Sequence, residues 1–362
     1  MHISFKRIDW FLVVLVLMIS ALGVMEIYSA TYRTKFAGAH EKQIYWILAG
    51  LVLMFLMTLI DYHTLMEHVP LMYLVSVGLL FTVLMVGRKT FGSRRWIPLA
   101  GGFHFQVSEF VKLVIILAMA RYFSESRQEQ VSPGDLAKVG LIVGIPMGLV
   151  LLQPDLGTAL TYAPIVMMAV FLAGIRFKHV VVGLLLLALA MPLAWRFALK
   201  PYQKARLTTF LSPEEDPLKA GYQLMQSKIA VGSGGLWGKG SAKGSQTQLW
   251  FLPVPHTDFI FAAFAEEHGF FGVLSALLLS FMVFMRLVHN AQTAPDRAGV
   301  FIVMGVVGVL LFHVLVNVGM VIGYMPVTGI PLPLMSYGGS SVLFTFMALG
   351  LVNNVRLRRF VN

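Results

Sequence analysis

The chain has 362 residues, of which 57% are hydrophobic and only 12% are charged, and its formal net charge is +11. This number of polar residues is too small to cover the surface of a soluble globule of this size. The composition therefore excludes a soluble protein and predicts a polytopic membrane protein. The absence of cysteine excludes disulfides, thiolate metal sites and a cysteine nucleophile.

Apolar windows long enough to cross about 30 Å of hydrocarbon occur about ten times in the sequence. We place them at residues 8–27, 44–60, 69–86, 110–123, 139–152, 159–175, 180–197, 269–285, 300–324 and 342–355. The sequence therefore predicts one all-α transmembrane domain over residues 1–362, with about ten helices and a large outer loop at about 198–258, between helices seven and eight. Ten spans put both termini on one side of the membrane. The basic residues Lys6 and Arg7 at the start and Arg356, Arg358 and Arg359 at the end predict that this side is cytoplasmic.

The predicted outer loops hold more basic residues than this topology requires. They include Arg94 and Arg95, which precede Trp96, and eight lysines and arginines between Arg196 and Lys243. One interpretation is a solvated loop surface. The other is an outward-facing site for an anionic, phosphorylated substrate, since arginine beside an aromatic ring suits a phosphate at a membrane interface. Basic residues divided between both membrane faces argue against a nucleic-acid partner.

Two places in the first half of the chain carry buried charge. Glu109 and Lys112 are three residues apart at the start of an apolar helix, so they share one helical face. They form either a structural ion pair or part of a site. Asp155 follows Pro154 at the outer end of the fifth span, where it either caps the next helix or joins the same outer cavity.

The large outer loop contains the glycine-rich sequence GSGGLWGKGS, which lacks the spacing of a Walker A loop, so no nucleotide site is expected. Its glycine turns would still allow Lys239 and Lys243 to meet a substrate. Upstream, Tyr222, Met225 and Ile229 recur at helical spacing and predict a short amphipathic helix on the membrane surface.

Asp258 follows two prolines and precedes an apolar run that is typical of a helix or buried segment. Aspartate directly before a helix is a common N-cap, and capping is one interpretation. The other is a functional acid at the membrane boundary, where an acid is expensive. His256 and His268 near Glu266 do not have HExxH spacing, so we expect no zinc site.

Residues 325–341, MPVTGIPLPLMSYGGSS, contain three prolines and three glycines and cannot form a continuous helix. A segment of this kind at membrane depth must be buried in protein or line a cavity, and we expect the cavity. Asn317, in the span before it, is expected to form a structural hydrogen bond between helices.

Six motifs in this order resemble the SEDS family of shape, elongation, division and sporulation proteins, and most closely its rod-shape branch. They are SRRWI at Ser93, QVSEFVKL at Gln106, QPDLGT at Gln153, IAVGSGGLWGKG at Ile229, HTDFIF at His256 and TGIPLPLMSYGGSS at Thr328. The resemblance covers nearly the whole chain. It implies a ten-helix peptidoglycan glycosyltransferase of the bacterial cytoplasmic membrane that polymerises lipid II on the outer face during cell elongation.

The resemblance also implies a class B penicillin-binding protein as partner, together with other membrane proteins of the elongation complex. It carries over Asp258 as the catalytic acid and Glu109, Lys112 and Asp155 as cavity residues, and Ser336 and Ser340 of the last motif are candidate substrate-binding residues. One departure is Val254, which stands where members of the family often have a glutamate, so no acid from that position assists Asp258.

The chemistry agrees with this assignment. A sugar pyrophosphate leaves as a stable anion, so inverting transfer needs one general base and cations on the pyrophosphate. Asp258 is the candidate base. Candidate pyrophosphate contacts are Arg94, Arg95, Lys239 and Lys243, or a divalent cation such as Mg²⁺ or Mn²⁺; no nucleotide, haem or zinc is expected. The alternatives are a flippase for the lipid-linked precursor and a non-catalytic scaffold for a penicillin-binding protein.

Overall fold

A computed structural model describes residues 7–32, 34–90, 93–98, 104–126, 130–212 and 220–359. Most of these residues are helical. The helices are α1 Trp10–Thr31, α2 Ala39–Leu59, α3 Tyr62–Glu67, α4 Val69–Val86, α5 Val107–Glu125, α6 Pro133–Leu152, α7 Leu156–Leu160, α8 Tyr162–Leu172, α9 Phe177–Leu193, α10 Pro201–Leu211, α11 Ala220–Ser233, α12 Ser245–Gln248, α13 Ile260–Gln292, α14 Arg297–Val321 and α15 Gly339–Arg358, and a π-helical turn at Ala194–Ala198 follows α9.

Each predicted span falls on a helix, which confirms the all-α membrane fold. Within the described ranges, seven helices are long and apolar enough to cross a membrane: α1, α2, α6, α9 with its π turn, α13, α14 and α15. The apolar segments in α4 and in α7 with α8 are shorter, and α5 carries the buried charges Glu109 and Lys112. The count of ten spans therefore stays a prediction.

The first departure from the predicted elements lies between α4 and α5, where the sequence predicts an outer loop. Three short strands form an antiparallel sheet there, β1 Arg88–Thr90, β2 Ser93–Pro98 and β3 His104–Phe105. Ile97 pairs with Phe105 across β2 and β3. Since β3 ends directly before α5, the sheet places Arg95 near the N-terminal end of that helix.

The second departure concerns the predicted outer loop, which contains α10, α11 and α12. The helix predicted from Tyr222, Met225 and Ile229 is α11. It packs through its opposite face, where Ser227 Oγ donates a hydrogen bond to the carbonyl of Val321 at 2.9 Å. Its predicted position on the membrane surface stays a prediction.

Helix α13 begins nine residues before the predicted span and bends within its length. Gly269 has a φ of 66° and a ψ of −165° at the bend, a conformation that is open to glycine and strained for other residues. The segment before the bend, residues 260–268, runs from Asp258 to the C-terminal end of α1, where Glu267 Oε2 accepts a hydrogen bond from Ser29 at 2.5 Å. Residues 270–292 are long enough to span the membrane.

The opposite end of the bundle is closed by a buried carboxylate. Asp9 accepts hydrogen bonds from Arg286 at 2.7 Å, Arg356 at 2.9 Å and Asn290 at 2.9 Å. Burial would raise the pKa of Asp9, but these partners more than offset it and hold the pKa below its ordinary value. The cluster joins the start of α1 to the ends of α13 and α15, so these three helix ends lie at one end of the bundle and Asp258 lies at the other.

Candidate functional site

Asp258 lies two residues before α13 and does not cap it. The N-cap position is occupied by Phe259, and the cap has no side-chain hydrogen bond. Asp258 is partly buried, and among the described residues its carboxylate has no hydrogen bond or salt bridge. Asp155 and Asp296, by contrast, cap α7 and α14 through their side chains. The capping interpretation of Asp258 is therefore wrong, and its carboxylate is available to a substrate.

The backbone that carries Asp258 is fixed through three successive carbonyl groups. Each accepts one hydrogen bond from the end of the chain: His256 from Tyr337 N at 2.9 Å, Thr257 from Ser336 Oγ at 2.8 Å and Asp258 from Asn317 Nδ2 at 2.9 Å. Gly329 faces the carboxylate, since a Cβ built there would lie 3.4 Å from Asp258 Oδ2. The motifs HTDFIF and TGIPLPLMSYGGSS, more than seventy positions apart in sequence, therefore form one site.

Two arginines set the electrostatics of Asp258. Burial raises the pKa of Asp258 above its ordinary value of 3.8, the nearby Asp155 adds to that rise, and the guanidinium groups of Arg95 and Arg206 oppose it. Arg206 Nη1 also donates to the carbonyl of Thr328 at 3.3 Å. Arg206 is one of the eight basic residues of the predicted outer loop, and nothing in the sequence of α10 distinguishes it from Lys204.

Asp155 serves as a support rather than as a second open carboxylate. Oδ1 accepts from the backbone N–H of Thr158 at 3.2 Å and lies 3.3 Å from Arg95 Nη1. Oδ2 accepts from Gln106 Nε2 at 2.8 Å and from Thr158 Oγ1 at 2.9 Å. The capping interpretation of Asp155 is therefore confirmed. Its place in an outer cavity stays a prediction, which the contact with Arg95 favours.

Glu109 and Lys112 form a buried ion pair of 2.8 Å. Lys112 is completely buried, and its ammonium also lies 4.0 Å from the ring centre of Phe344 and 3.3 Å from His313 Nε2. A buried pair of this kind leaves a costly unpaired charge if one partner is lost. His313 was not selected from the sequence, where a single histidine in an apolar run gives no signal.

The two candidate serines form their hydrogen bonds inside the protein. Ser336 Oγ donates to Thr257 and accepts from the N–H of Leu332 at 2.8 Å. Ser340 Oγ accepts from the N–H of Gln106 at 3.1 Å and lies 3.3 Å from the carbonyl of His104. Both side chains are buried, so their observed contacts favour support of the site over contact with substrate.

The predicted lysine contacts are not brought together with Asp258. Lys239 Nζ lies 2.8 Å from Glu266 Oε1 and 2.8 Å from Ser245 Oγ, so this ammonium holds the outer loop on α13. Lys243 is exposed. The side chain of Arg94 lies outside the described part of the chain. Among Arg95, Lys239 and Lys243, whose side chains the structure describes, Arg95 is the cation near Asp258.

The donor set does not favour a metal ion held by protein. No three histidine, aspartate or glutamate side chains among the described residues are grouped to bind a metal. Both oxygens of Asp155 already accept hydrogen bonds. Burial lowers the pKa of His256 to about 4, so this ring is neutral at pH 7, and it packs 4.8 Å from the ring of Phe36. A divalent cation at this site would depend on the pyrophosphate for most of its ligands.

Known proteins are similar to this chain over nearly its whole length. A family model described as FtsW, RodA and SpoVE, cell cycle protein, matches residues 9–359. The chain is 38% identical to the peptidoglycan glycosyltransferase MrdB of Escherichia coli over 98% of this chain and 94% of that protein. It is 35% identical to the peptidoglycan glycosyltransferase RodA of Treponema pallidum over 97% of this chain and 98% of that protein.

Two solved structures are similar over nearly the whole chain. One is a chain described under the structural coordination of polymerization and crosslinking by a peptidoglycan synthase complex, with a TM-score of 0.85, 36% identity and coverage of 98% of this chain and 99% of that chain. The other is the rod shape determining protein RodA of Thermus thermophilus, with a TM-score of 0.73, 34% identity and 98% coverage of both chains.

Proposed function

Because this chain belongs to the FtsW, RodA and SpoVE family of cell cycle proteins, we propose that it polymerises lipid II with Asp258 as the general base. The chain is a peptidoglycan glycosyltransferase, as its relatives in Escherichia coli and Treponema pallidum are. It is a multi-pass membrane protein of α-helices. The proposal concerns the substrate and the side chains that carry the reaction.

One observation supports Asp258 as the base. Of the three acidic residues predicted for the site, Glu109 is paired with Lys112 and Asp155 is held by Arg95, Gln106 and Thr158. Asp258 alone among these three has no hydrogen bond or ion pair within the described residues. A general base needs a free lone pair within reach of the hydroxyl that it deprotonates.

The proposed reaction is an inverting displacement at the anomeric carbon of the donor sugar. Asp258 takes the proton of the acceptor hydroxyl, the acceptor oxygen forms a bond to the anomeric carbon, and the bond from that carbon to the pyrophosphate breaks. The electron pair of the broken bond leaves with the lipid pyrophosphate. Arg95 and Arg206 are the cations placed to stabilise this anion, since arginine donates paired hydrogen bonds to phosphate.

The family also suggests a partner protein and a membrane for this chain. We propose a class B penicillin-binding protein as partner, in keeping with the similarity to a chain from a peptidoglycan synthase complex. We further propose that the protein lies in the bacterial cytoplasmic membrane with both termini in the cytoplasm and Asp258 on the outer face. The ion pairs of Asp9 with Arg286 and Arg356 support the part of this proposal that puts both termini on the same face, and the basic residues near both ends support the cytoplasmic side.

The test is polymerisation of labelled lipid II by purified protein in detergent, comparing wild type with Asp258→Asn. The amide keeps the size of the side chain but cannot accept a proton at neutral pH, and loss of a general base typically costs ~10²–10⁴ in rate. A flippase would form no polymer even as wild type, and a scaffold would support cell growth after the change. Polymerisation at the wild-type rate by folded Asp258→Asn would exclude Asp258 as the base.

A further inference from the structure

Two side chains on one face of α14 donate hydrogen bonds to successive backbone carbonyls beside Asp258. His313 and Asn317 are four residues apart, so they lie on the same helical face. His313 Nδ1 lies 3.2 Å from the carbonyl oxygen of Pro331, and Asn317 Nδ2 lies 2.9 Å from that of Ile330. This face of α14 therefore binds the segment 328–331, which borders the carboxylate of Asp258.

The sequence of that segment explains why it needs side-chain donors. Pro331 and Pro333 have no N–H group and interrupt regular structure, so the carbonyls around them are not paired in a helix or sheet. Ile330 and Leu332 are buried, and a buried carbonyl without a donor is costly. The hydrogen bonds from α14 meet that requirement and fix the segment to one helix.

Asn317 also contacts the residue that carries the base. Its Nδ2 lies 2.9 Å from the backbone oxygen of Asp258, the same distance as from that of Ile330. A side-chain amide has two N–H donors, so one group serves both carbonyls. Asn317 is completely buried. It therefore joins the two strands of backbone that flank the carboxylate without reaching the space where a substrate would bind.

His313 extends the support to the buried ion pair. Its Nε2 lies 3.3 Å from Lys112 Nζ, and a lysine ammonium can only donate. The Nε2 atom must then accept, which assigns the proton to Nδ1, the atom that faces Pro331. A continuous chain of hydrogen bonds results, from Glu109 through Lys112 and His313 to the segment beside Asp258.

We propose that His313 and Asn317 are positioning residues for glycosyl transfer, holding Asp258 and segment 328–331 in the arrangement that receives the acceptor hydroxyl. Neither touches substrate, because both are buried. The proposal rests on Asp258 being the general base. Displacement of a catalytic group by about 1 Å can cost about 100-fold in rate, so loss of either donor should lower kcat while leaving KM for lipid II unchanged.

The first test compares Asn317→Leu with Asn354→Leu in purified protein. Asn354 is an equally buried amide at the opposite end of the bundle, where its Nδ2 donates to the carbonyls of Met57 at 2.7 Å and Thr58 at 3.3 Å. Both changes remove a buried donor that serves backbone carbonyls. We expect both to lower the melting temperature, and only Asn317→Leu to lower kcat per folded molecule, by about 10- to 100-fold.

A second variant keeps the inference testable if Asn317→Leu folds poorly. His313→Leu removes the donor to Pro331, whereas His313→Gln keeps an N–H group that can face the same carbonyl. We expect His313→Leu to lose kcat and His313→Gln to recover part of it at unchanged KM. The pH–rate profile should also move in Asn317→Leu, since a displaced Asp258 changes its distance to Arg95 and Arg206.

The outcomes separate this inference from the proposed function. If Asp258→Asn is inactive while Asn317→Leu and His313→Leu keep wild-type kcat per folded molecule, the two residues are structural only and the base assignment stands. If Asp258→Asn polymerises lipid II at the wild-type rate, the base assignment fails. A loss of kcat in Asn317→Leu that Asn354→Leu matches would likewise overturn a specific positioning role.

Discussion

Arg95 Nη1 lies 3.3 Å from Asp155 Oδ1, so the guanidinium that acts on Asp258 is itself held by the second carboxylate of the site. Burial raises the pKa of Asp258, and Arg95 is the largest of the effects that oppose the rise. The pH dependence of the polymerisation rate on the acid side should therefore depend on the interaction of Arg95 with Asp258.

We expect the polymerisation rate at saturating lipid II to fall as the pH drops through a pKa above the ordinary aspartate value of 3.8, because the base works only when it is deprotonated. Arg95→Gln removes a charge that lowers the pKa, so the acid limb should move to higher pH. The control is Arg121→Gln, since Arg121 pairs with Glu125 at the other end of α5. An acid limb that stays in place after Arg95→Gln would contradict the electrostatic assignment.

Arg206 and Lys239 should respond differently to neutralisation. Arg206→Gln removes a cation beside Asp258, and a hydrogen bond to a charged group is worth roughly 1.5–3 kcal/mol, which corresponds to about a 10- to 150-fold loss in kcat/KM. Lys239→Gln breaks the 2.8 Å contact with buried Glu266, so we expect a lower melting temperature and little change in kcat/KM of the folded protein.

Steady-state kinetics and thermal melts of the two variants decide the matter. If Lys239→Gln lowered kcat/KM as strongly as Arg206→Gln with unchanged stability, Lys239 would be a pyrophosphate contact, as the sequence first suggested. The structure favours a role for Lys239 in holding the outer loop on α13. Glu266, its partner, also accepts hydrogen bonds from the N–H groups of Gln246 and Thr247 in that loop, at 2.8 and 3.0 Å.

The orientation in the membrane gives a further prediction. At Ser212, a reporter that works only outside the cytoplasm should be active, and a reporter that works only in the cytoplasm should be inactive. At Ser132, between α5 and α6, the two reporters should give the opposite result. The reason is that Asp9 and Arg356 meet at one end of the bundle, which the basic residues near both termini mark as cytoplasmic, while Asp258 and α10 lie at the other end. Cytoplasmic activity of the Ser212 fusion would reverse the topology and place Asp258 on the wrong face for an outward site.

The sequence predicted those features that depend on spacing along one helix. Glu109 and Lys112 could be paired from the sequence because residues three apart share a helical face. The role of Asp258 could not be decided in the same way, because capping depends on which residue begins the helix. In the structure that residue is Ile260, so the N-cap is Phe259.

The contacts that the sequence could not predict join distant parts of the chain. Lys239 and Glu266 are separated by 27 positions, and nothing in the glycine-rich loop identifies its carboxylate partner. His313 and Pro331 meet because 325–338 folds back against α14, which a hydropathy pattern does not encode. The short strands around Arg95 were missed because segments of two to six residues beside glycines carry the pattern of a loop.

Glu109 and Lys112 should act as a unit in a double-mutant cycle. Both are buried and lie 2.8 Å apart, and breaking a buried pair by removing one partner typically costs about 3–5 kcal/mol because a charge is left unpaired. Glu109→Gln and Lys112→Met should each lower stability by that order, and the double variant by clearly less than the sum of the two.

The exposed pair Arg121 and Glu125 on the same helix is the matched control, at 3.1 Å with side chains 34% and 67% exposed. An exposed helical pair is worth about 0.3–0.5 kcal/mol, so its cycle should give almost no coupling. Lys112 also contacts His313, and Glu109 holds Lys112. We therefore expect each single variant to lose polymerisation rate per folded molecule as well as stability. If the stability losses of Glu109→Gln and Lys112→Met were additive, the coupling free energy would be near zero, as in the control pair. The two charges would then not depend on each other.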